Sequence, residues 1–107
     1  MAFSDVIQMM EEQVKKADPS KIQGVDAIFQ FELSGEDEGT FHLNVSDGNV
    51  ELVEGANENP NVTISMDSAD FKSMLQGELN ATSAFMSGKL KVKGDMSLAM
   101  KLQALVS

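Results

Sequence analysis

Side chains equipped for bond-making chemistry are sparse in this chain, and they are poorly spaced for it. His42 is the only histidine. It lies between Phe41 and Leu43 in a stretch whose alternation puts it on the solvent face of a strand, whereas a general base needs a cleft and a partner within hydrogen-bond reach. A solvated strand residue is the expectation, and an enzyme acting through His42 would have to lose turnover in His42→Ala. The chain has no Cys, which removes thiolate nucleophiles, disulfides and zinc-thiolate sites. Serines are plentiful, yet none sits in a Gly-x-Ser-x-Gly elbow, and no Gly-x-x-x-x-Gly-Lys loop is present to cradle phosphates. Glu36-Asp37-Glu38 gathers three carboxylates, but consecutive acids lack the alternating pattern of a calcium loop and its closing bidentate Glu. That run reads as a solvated loop, and neither a metal nor a cofactor is expected.

Methionine and charge distribution stand out instead. The chain has eight Met in 107 residues, and Met66, Met74, Met86, Met96 and Met100 fall at positions that the periodicity assigns to a core. Unbranched, polarizable thioethers fill irregular apolar space and yield around a guest, so an apolar ligand and ordinary core filling explain them equally well. The formal net charge is −9, and there is no Arg, which argues against a nucleic-acid surface, since duplex binding neutralises phosphates with Lys and Arg. Residues 1–60 hold 13 acids and 3 Lys, whereas residues 61–107 hold 4 acids and 5 Lys. The surface should therefore be dipolar. Lys89, Lys91 and Lys93, with Lys101, form a weakly basic side that suits transient contact with anionic lipid head groups, or that simply keeps a strand face wet. The apolar runs are too short to span a membrane, and MAFSDVIQMM lacks the basic and long apolar regions of a secretory signal. An intracellular setting is expected, and the three Asn-x-Ser/Thr matches at Asn44, Asn61 and Asn80 read as chance.

The elements that must carry these side chains are legible from periodicity. Phe3, Val6, Ile7, Met10, Val14 and Ala17 recur at helical spacing and predict an amphipathic helix over 4–17, ended by Asp18-Pro19-Ser20. Alternation predicts strands over Val25 to Leu33, with Ile28 as the one exception, and around Phe41 to Val45. Asp47-Gly48 is a hairpin turn signal leading into a third strand over Asn49 to Val53. Val62, Ile64 and Met66 mark a fourth strand, and Leu90 with Val92 a fifth between the lysines. Asp67, Asn80 and Asp95 are placed to cap helices over Ser68 to Gln76, Ala81 to Met86 and Met96 to Leu105, the first closed by Gly77. Every strand has one apolar face, and the other holds Gln30, Glu32, Thr40, His42, Asn44, Thr63, Ser65, Lys89, Lys91 and Lys93. A sheet of that kind is covered by helices on one side only. The expectation is one α+β domain over residues 1–107. Its two layers are a five-stranded, mainly antiparallel sheet that starts with a three-stranded meander, and the helices; the core has room for one modest cavity.

From Asn61 to about Leu105 the wording is more specific than its periodicity. It runs Val62-Thr63-Ile64-Ser65, Asp67, Asp70-Phe71, Leu75-Gln76-Gly77 and Ala84-Phe85-Met86. The most distinctive part follows, Gly88-Lys89-Leu90-Lys91-Val92-Lys93-Gly94-Asp95-Met96 and Leu98-Ala99-Met100-Lys101-Leu102. These residues closely resemble the C-terminal part of the sterol carrier protein 2 domain family, while the first 60 residues agree with it in element order only. The resemblance implies an apolar tunnel between sheet and helices that accepts fatty acids, fatty acyl-CoA, sterols and other lipids, with no bond made or broken. Its lining would come from Phe71, Met74, Leu75, Leu79, Phe85 and Met86 in the middle helices and from Leu90 in the last strand. The C-terminal helix would add Met96, Leu98, Met100, Leu102 and Leu105 as a movable wall. With no Arg to clamp a carboxylate, Lys21, Gln23, Lys101 and Gln103 are the polar candidates for a head group. Peroxisomal relatives end in a Ser-Lys-Leu-like address, whereas this chain stops at Leu105-Val106-Ser107. That implies a cytoplasmic, stand-alone prokaryotic-type member in which an acyl chain is a better ligand than a sterol. The other reading is an accessory protein-interaction module with a vestigial pocket.

Overall fold

The fold is given by a computed structural model that describes residues 3–16 and 24–101, apart from the side chain of Met100. The elements are α1 (Phe3–Lys16), β1 (Ala27–Ser34), β2 (Gly39–Ser46), β3 (Asn49–Glu54), β4 (Val62–Asp67), α2 (Ser68–Leu75), α3 (Ala81–Met86), β5 (Leu90–Gly94) and α4 (Met96–Lys101). The predicted loop at Asp18-Pro19-Ser20 and the end of the predicted C-terminal helix beyond Lys101 lie outside the described residues.

Strict alternation decides which way each strand faces. Phe29, Phe31 and Leu33 of β1, Phe41, Leu43 and Val45 of β2, Val62, Ile64 and Met66 of β4, and Leu90 of β5 are all buried. They belong to one core cluster with Val6, Ile7 and Met10 of α1 and with Phe71 and Met74 of α2. A one-residue slip would exchange the two faces of a strand, so the buried set also confirms the predicted register. At the centre Phe31 and Phe41 are cross-strand partners and stack at 4.9 Å with their planes 9° apart. Phe71 tilts onto both, at 5.4 and 5.9 Å, and Phe3 reaches Phe41 at 6.3 Å. Aromatic pairs at such spacings add about 0.5–1.5 kcal/mol each beyond the area they bury.

The sheet order is β3-β2-β1-β4-β5. The β1-β2-β3 meander forms as predicted, with Asp47 and Gly48 both at positive φ in the turn. The sheet as a whole is mixed, because β4 lies parallel to β1, while the other three pairings are antiparallel. Residues 55–61 must therefore carry the chain from one edge strand to the far side of β1. They cross the face opposite the helices and are tied down along the way. The N–H of Gly55 donates to the Thr40 carbonyl (2.8 Å), and that of Asn57 to Oε1 of Gln30 (2.8 Å). Asn61 exchanges bonds with Ile28, its N–H donating to the Ile28 carbonyl (2.9 Å) and its Oδ1 accepting from the Ile28 N–H (2.8 Å).

Candidate functional site

The layer between sheet and helices is where an apolar ligand would have to lie, so its walls come first. Asp67 caps α2 by accepting from the Ala69 N–H at 2.8 Å. The helix then turns Phe71 and Met74, three residues apart, into the core. Leu75 and Leu79 are half-buried against that core. Leu90 is buried from the sheet side, where it pairs with Met66. Asn80 caps α3 through the Thr82 N–H at 2.8 Å. Asp95 caps α4, its Oδ1 accepting from the Ser97 N–H (3.0 Å), the Ser97 hydroxyl (2.6 Å) and the Leu98 N–H (3.4 Å). The Ser97 hydroxyl in particular, with the Leu98 N–H, holds the Asp95 carboxyl below its ordinary value.

Not all of the predicted lining reaches this layer. Phe71, Met74 and Leu90 are enclosed, and Leu75, Leu79 and Leu98 are half-buried at its margin. Phe85, Met86 and Met96 are instead 44%, 81% and 47% exposed. The reason is helix phase. α3 has six residues, and Ala81 and Ala84 occupy its inward face; Phe85 and Met86 follow at 100° and 200° of further rotation. Met96 is the first residue of α4, whose half-buried side is Leu98 and Ala99. The Met100 side chain, Leu102 and Leu105 lie outside the described residues, as do Lys21, Gln23 and Gln103, and Lys101 is exposed at the end of α4.

Two polar sites are more enclosed than the sequence suggests. His42 does sit on the face opposite the helices, but it is only 8% exposed, because the 55–61 crossing covers it. Its Nδ1 donates to the Gly55 carbonyl at 2.9 Å, which sets the tautomer. Gln30, its neighbour across β1-β2, is buried beneath the same crossing and also donates to Glu32 at 3.0 Å. A crossing over this face follows only from the parallel placement of β4, and alternation carries no information about strand order.

The acidic run is also corrected. Glu36 and Glu38 are exposed, but Asp37 is 1% exposed and ion-paired to Lys72 of α2, Oδ2 to Nζ at 2.5 Å. Its N–H donates to the Ser68 hydroxyl at 3.2 Å, while its Oδ1 is buried without a partner. The β1-β2 loop is thereby fastened to the helix that carries Phe71 and Met74. Nothing in three consecutive acids marks the middle one for burial, and Lys72 is 35 residues away.

Among the described residues no cluster of His, Asp and Glu is placed to hold a metal ion, and no helix is long and apolar enough to cross a membrane. An open depression at the β2-β3 turn, lined by Asn44, Ser46, Asp47, Asn49, Val50 and Glu51, is polar and unsuited to an apolar guest.

Comparison with known proteins gives a consistent answer. Residues 7–107 match the SCP-2 sterol transfer family. Hydroxysteroid dehydrogenase-like protein 2 of Homo sapiens is 47% identical over 88 residues, 80% of this chain but 21% of that protein. The chain thus spans about a fifth of the length of the curated relatives it matches. Among solved structures, the sterol carrier protein domain 2 of Helicoverpa armigera is 31% identical with a TM-score of 0.74, covering 94% of this chain and 82% of that one. Palmitated SCP2L2 from Aedes aegypti superposes with a TM-score of 0.77 at 23% identity, over 99% of this chain and 95% of its own.

Proposed function

This chain belongs to the SCP-2 sterol transfer family, and from that premise we propose that it is a non-enzymatic lipid-binding and lipid-transfer domain over residues 1–107. The observation that carries the proposal is the extent of the family match, which runs from within α1 through both layers to the end of the chain. In this reading the ligand lies between sheet and helices. Phe71, Met74 and Leu90 form its inner wall, Leu75, Leu79 and Leu98 its margin, and Met100, Leu102 and Leu105 the remainder of a C-terminal wall. Burying a methylene contributes about 0.8 kcal/mol, so a long acyl tail is held by apolar contact alone, and selectivity along the tail is loose. Fatty acids and acyl-CoA are favoured over sterols because a narrow, flexible chain threads between Met and Leu side chains that yield. The palmitated Aedes structure, which shares the fold, supports an acyl ligand. In this reading the domain makes and breaks no bonds. A cytoplasmic setting and a transient contact with membrane surfaces complete the reading.

A second reading is favoured by the length of the relatives: a domain that forms about a fifth of a dehydrogenase-like protein presents lipid to an attached or partner protein rather than shuttling it alone. Thermal melts with palmitate, palmitoyl-CoA and cholesterol test the common core of both. A ligand at 100 times its Kd adds about 2.7 kcal/mol of stability, which raises Tm by roughly 10 °C or more in a domain of this size. Absence of a shift with all three, together with no lipid in native mass spectra of the protein as expressed, would overturn it. A vesicle-to-vesicle transfer assay then separates the readings, because only the shuttling domain accelerates transfer unaided.

A further inference from the structure

Phe85, Met86 and Met96 are the exposed large hydrophobics among the described residues, and all three fall within twelve consecutive positions. Single exposed apolar side chains are ordinary, but such a concentration is not. Lys89, Lys91 and Lys93 lie between them, all exposed. Residues 81–101 carry four Lys and one Asp, while the rest of the chain carries four Lys and sixteen acids. One segment of net charge +3 thus stands against −12 elsewhere.

Topology turns this segment into a surface. β5 is an edge strand, and α3 and α4 both pack on it. Phe85 and Met86 therefore flank the start of β5 and Met96 its end. Lys91 and Lys93 project from the opposite face of the strand, at the register positions of Ser65 and Thr63. The other edge of the sheet is β3, with Glu51 and Glu54 exposed along it and Asp47 exposed at its turn. The two edges differ in sign, so an anionic surface attracts the β5 edge and repels the β3 edge.

We propose that the α3-β5-α4 edge docks onto anionic lipid bilayers, with Phe85, Met86 and Met96 entering the interface and Lys89, Lys91 and Lys93 meeting the head groups. The inference deepens the lipid-carrying reading and rests on it for its purpose. A bilayer fits these side chains better than a folded acidic partner does. The apolar groups sit on the helices that flank the two ends of β5, and Lys91 and Lys93 on the other face of that edge strand. A fluid interface accepts that arrangement, whereas a protein would need a matching socket for each group.

The test uses the full chain in flotation with vesicles of phosphatidylcholine alone or mixed with phosphatidylglycerol, at low and high salt. The parent should float with the anionic vesicles at low salt and be released by high salt. The triple variant Phe85→Ser, Met86→Gln, Met96→Gln should lose about tenfold or more in partitioning, and the triple variant Lys89→Gln, Lys91→Gln, Lys93→Gln about fivefold per lysine at low salt. Glu51→Gln with Glu54→Gln, on the opposite edge, should not weaken binding. All these side chains are exposed or on an edge, and unchanged circular dichroism confirms folding. The palmitate Kd is measured in parallel and should be unchanged in the apolar triple variant. Equal flotation of parent and apolar variant, or no flotation of the parent, overturns the proposal. So does a weakened palmitate Kd in the apolar variant, which would place these residues in the cavity wall, or loss of a parent dimer in that variant, which would make the edge a self-contact. Flotation that follows the expected pattern in a protein that binds no palmitate supports the docking edge while removing the carrier reading.

Discussion

Lys72→Met should be among the most damaging single changes available outside the aromatic core. The Asp37 carboxylate it leaves behind is buried, with Oδ1 already unpartnered and Oδ2 bonded to the Lys72 ammonium. Removing that ammonium strands a desolvated charge, which costs about 3–5 kcal/mol. Against a typical domain stability of about 5–15 kcal/mol, that is about a fifth of the total at the least. Losing Asp37 instead is milder, because the Lys72 side chain is 18% exposed, takes part in a second interaction and can turn to water. Asp37→Leu removes the buried charge altogether, and the double variant Asp37→Leu/Lys72→Met should recover most of the loss in Lys72→Met, since a well-packed apolar pair often equals a buried ion pair. With a urea m-value of about 1.5 kcal/mol/M, the midpoint in Lys72→Met should fall by about 2–3 M. The cycle isolates the pair from the second contact of Lys72. A loss under about 1 kcal/mol in Lys72→Met, or a double variant that loses the sum of the two singles, would refute the assignment of Asp37 as a buried, charged latch. Because the latch holds α2, Lys72→Met should also weaken palmitate binding.

Gly94→Ala should destabilise strongly, since Gly94 has φ +115° and a Cβ there would lie 2.5 Å from the Asn61 carbonyl oxygen and 3.0 Å from Val62 Cα, backbone atoms that cannot turn aside. The backbone conformation alone costs about 1–3 kcal/mol, so a Tm within a few degrees of the parent would refute the close approach. Asp95 is held below its ordinary value by bonds that favour the carboxylate, so its cap is complete above the normal carboxylate range and is lost as pH falls through the lowered value. Acid melts should therefore cost the parent more than Asp95→Asn, which caps without titrating; parallel losses would remove the assignment. A chain truncated after Gly94 should keep the sheet by circular dichroism and lose palmitate binding, and unchanged affinity would place the wall elsewhere.

The faces of the strands were open to reading from the sequence because a period of two admits only two registers. Phe29, Phe31, Phe41, Leu43 and Ile64 each point inward as the alternation requires. The caps were equally open, because an Asp or Asn directly before an apolar stripe has one short-range job, and Asp67, Asn80 and Asp95 all do it. Phase in short helices was not. Over six residues the 3.6-residue period completes fewer than two turns, so alanines and large apolar residues compete for the inward face; in α3 Ala81 and Ala84 hold it, leaving Phe85 and Met86 outside. Burial of polar groups was invisible for a different reason. Asp37 and His42 are enclosed by partners 35 and 13 residues away, and a local pattern cannot report a long-range cover.

Strand order connects these failures to function. The acids of the first half of the chain and the lysines of the last quarter are separated in sequence, but sequence separation alone makes no dipolar surface. It becomes spatial because β4 inserts beside β1 rather than beside β3, which leaves β3 and β5 as opposite edges. The insertion requires the 55–61 crossing, and the crossing in turn covers His42 and Gln30, which bond to Gly55 and Asn57. Had β4 paired with β3, β5 would follow it on the acidic side of the sheet, and Lys89, Lys91 and Lys93 would lie within two strands of Glu51 and Glu54, inside roughly one Debye length at physiological salt. The two charge sets would then largely cancel at a distance. In the observed order four strand spacings, about 19 Å, lie between the edges, so each presents its own sign to an approaching surface. A parallel pairing at the centre of the sheet thus does two things at once, enclosing His42 and setting the basic edge apart.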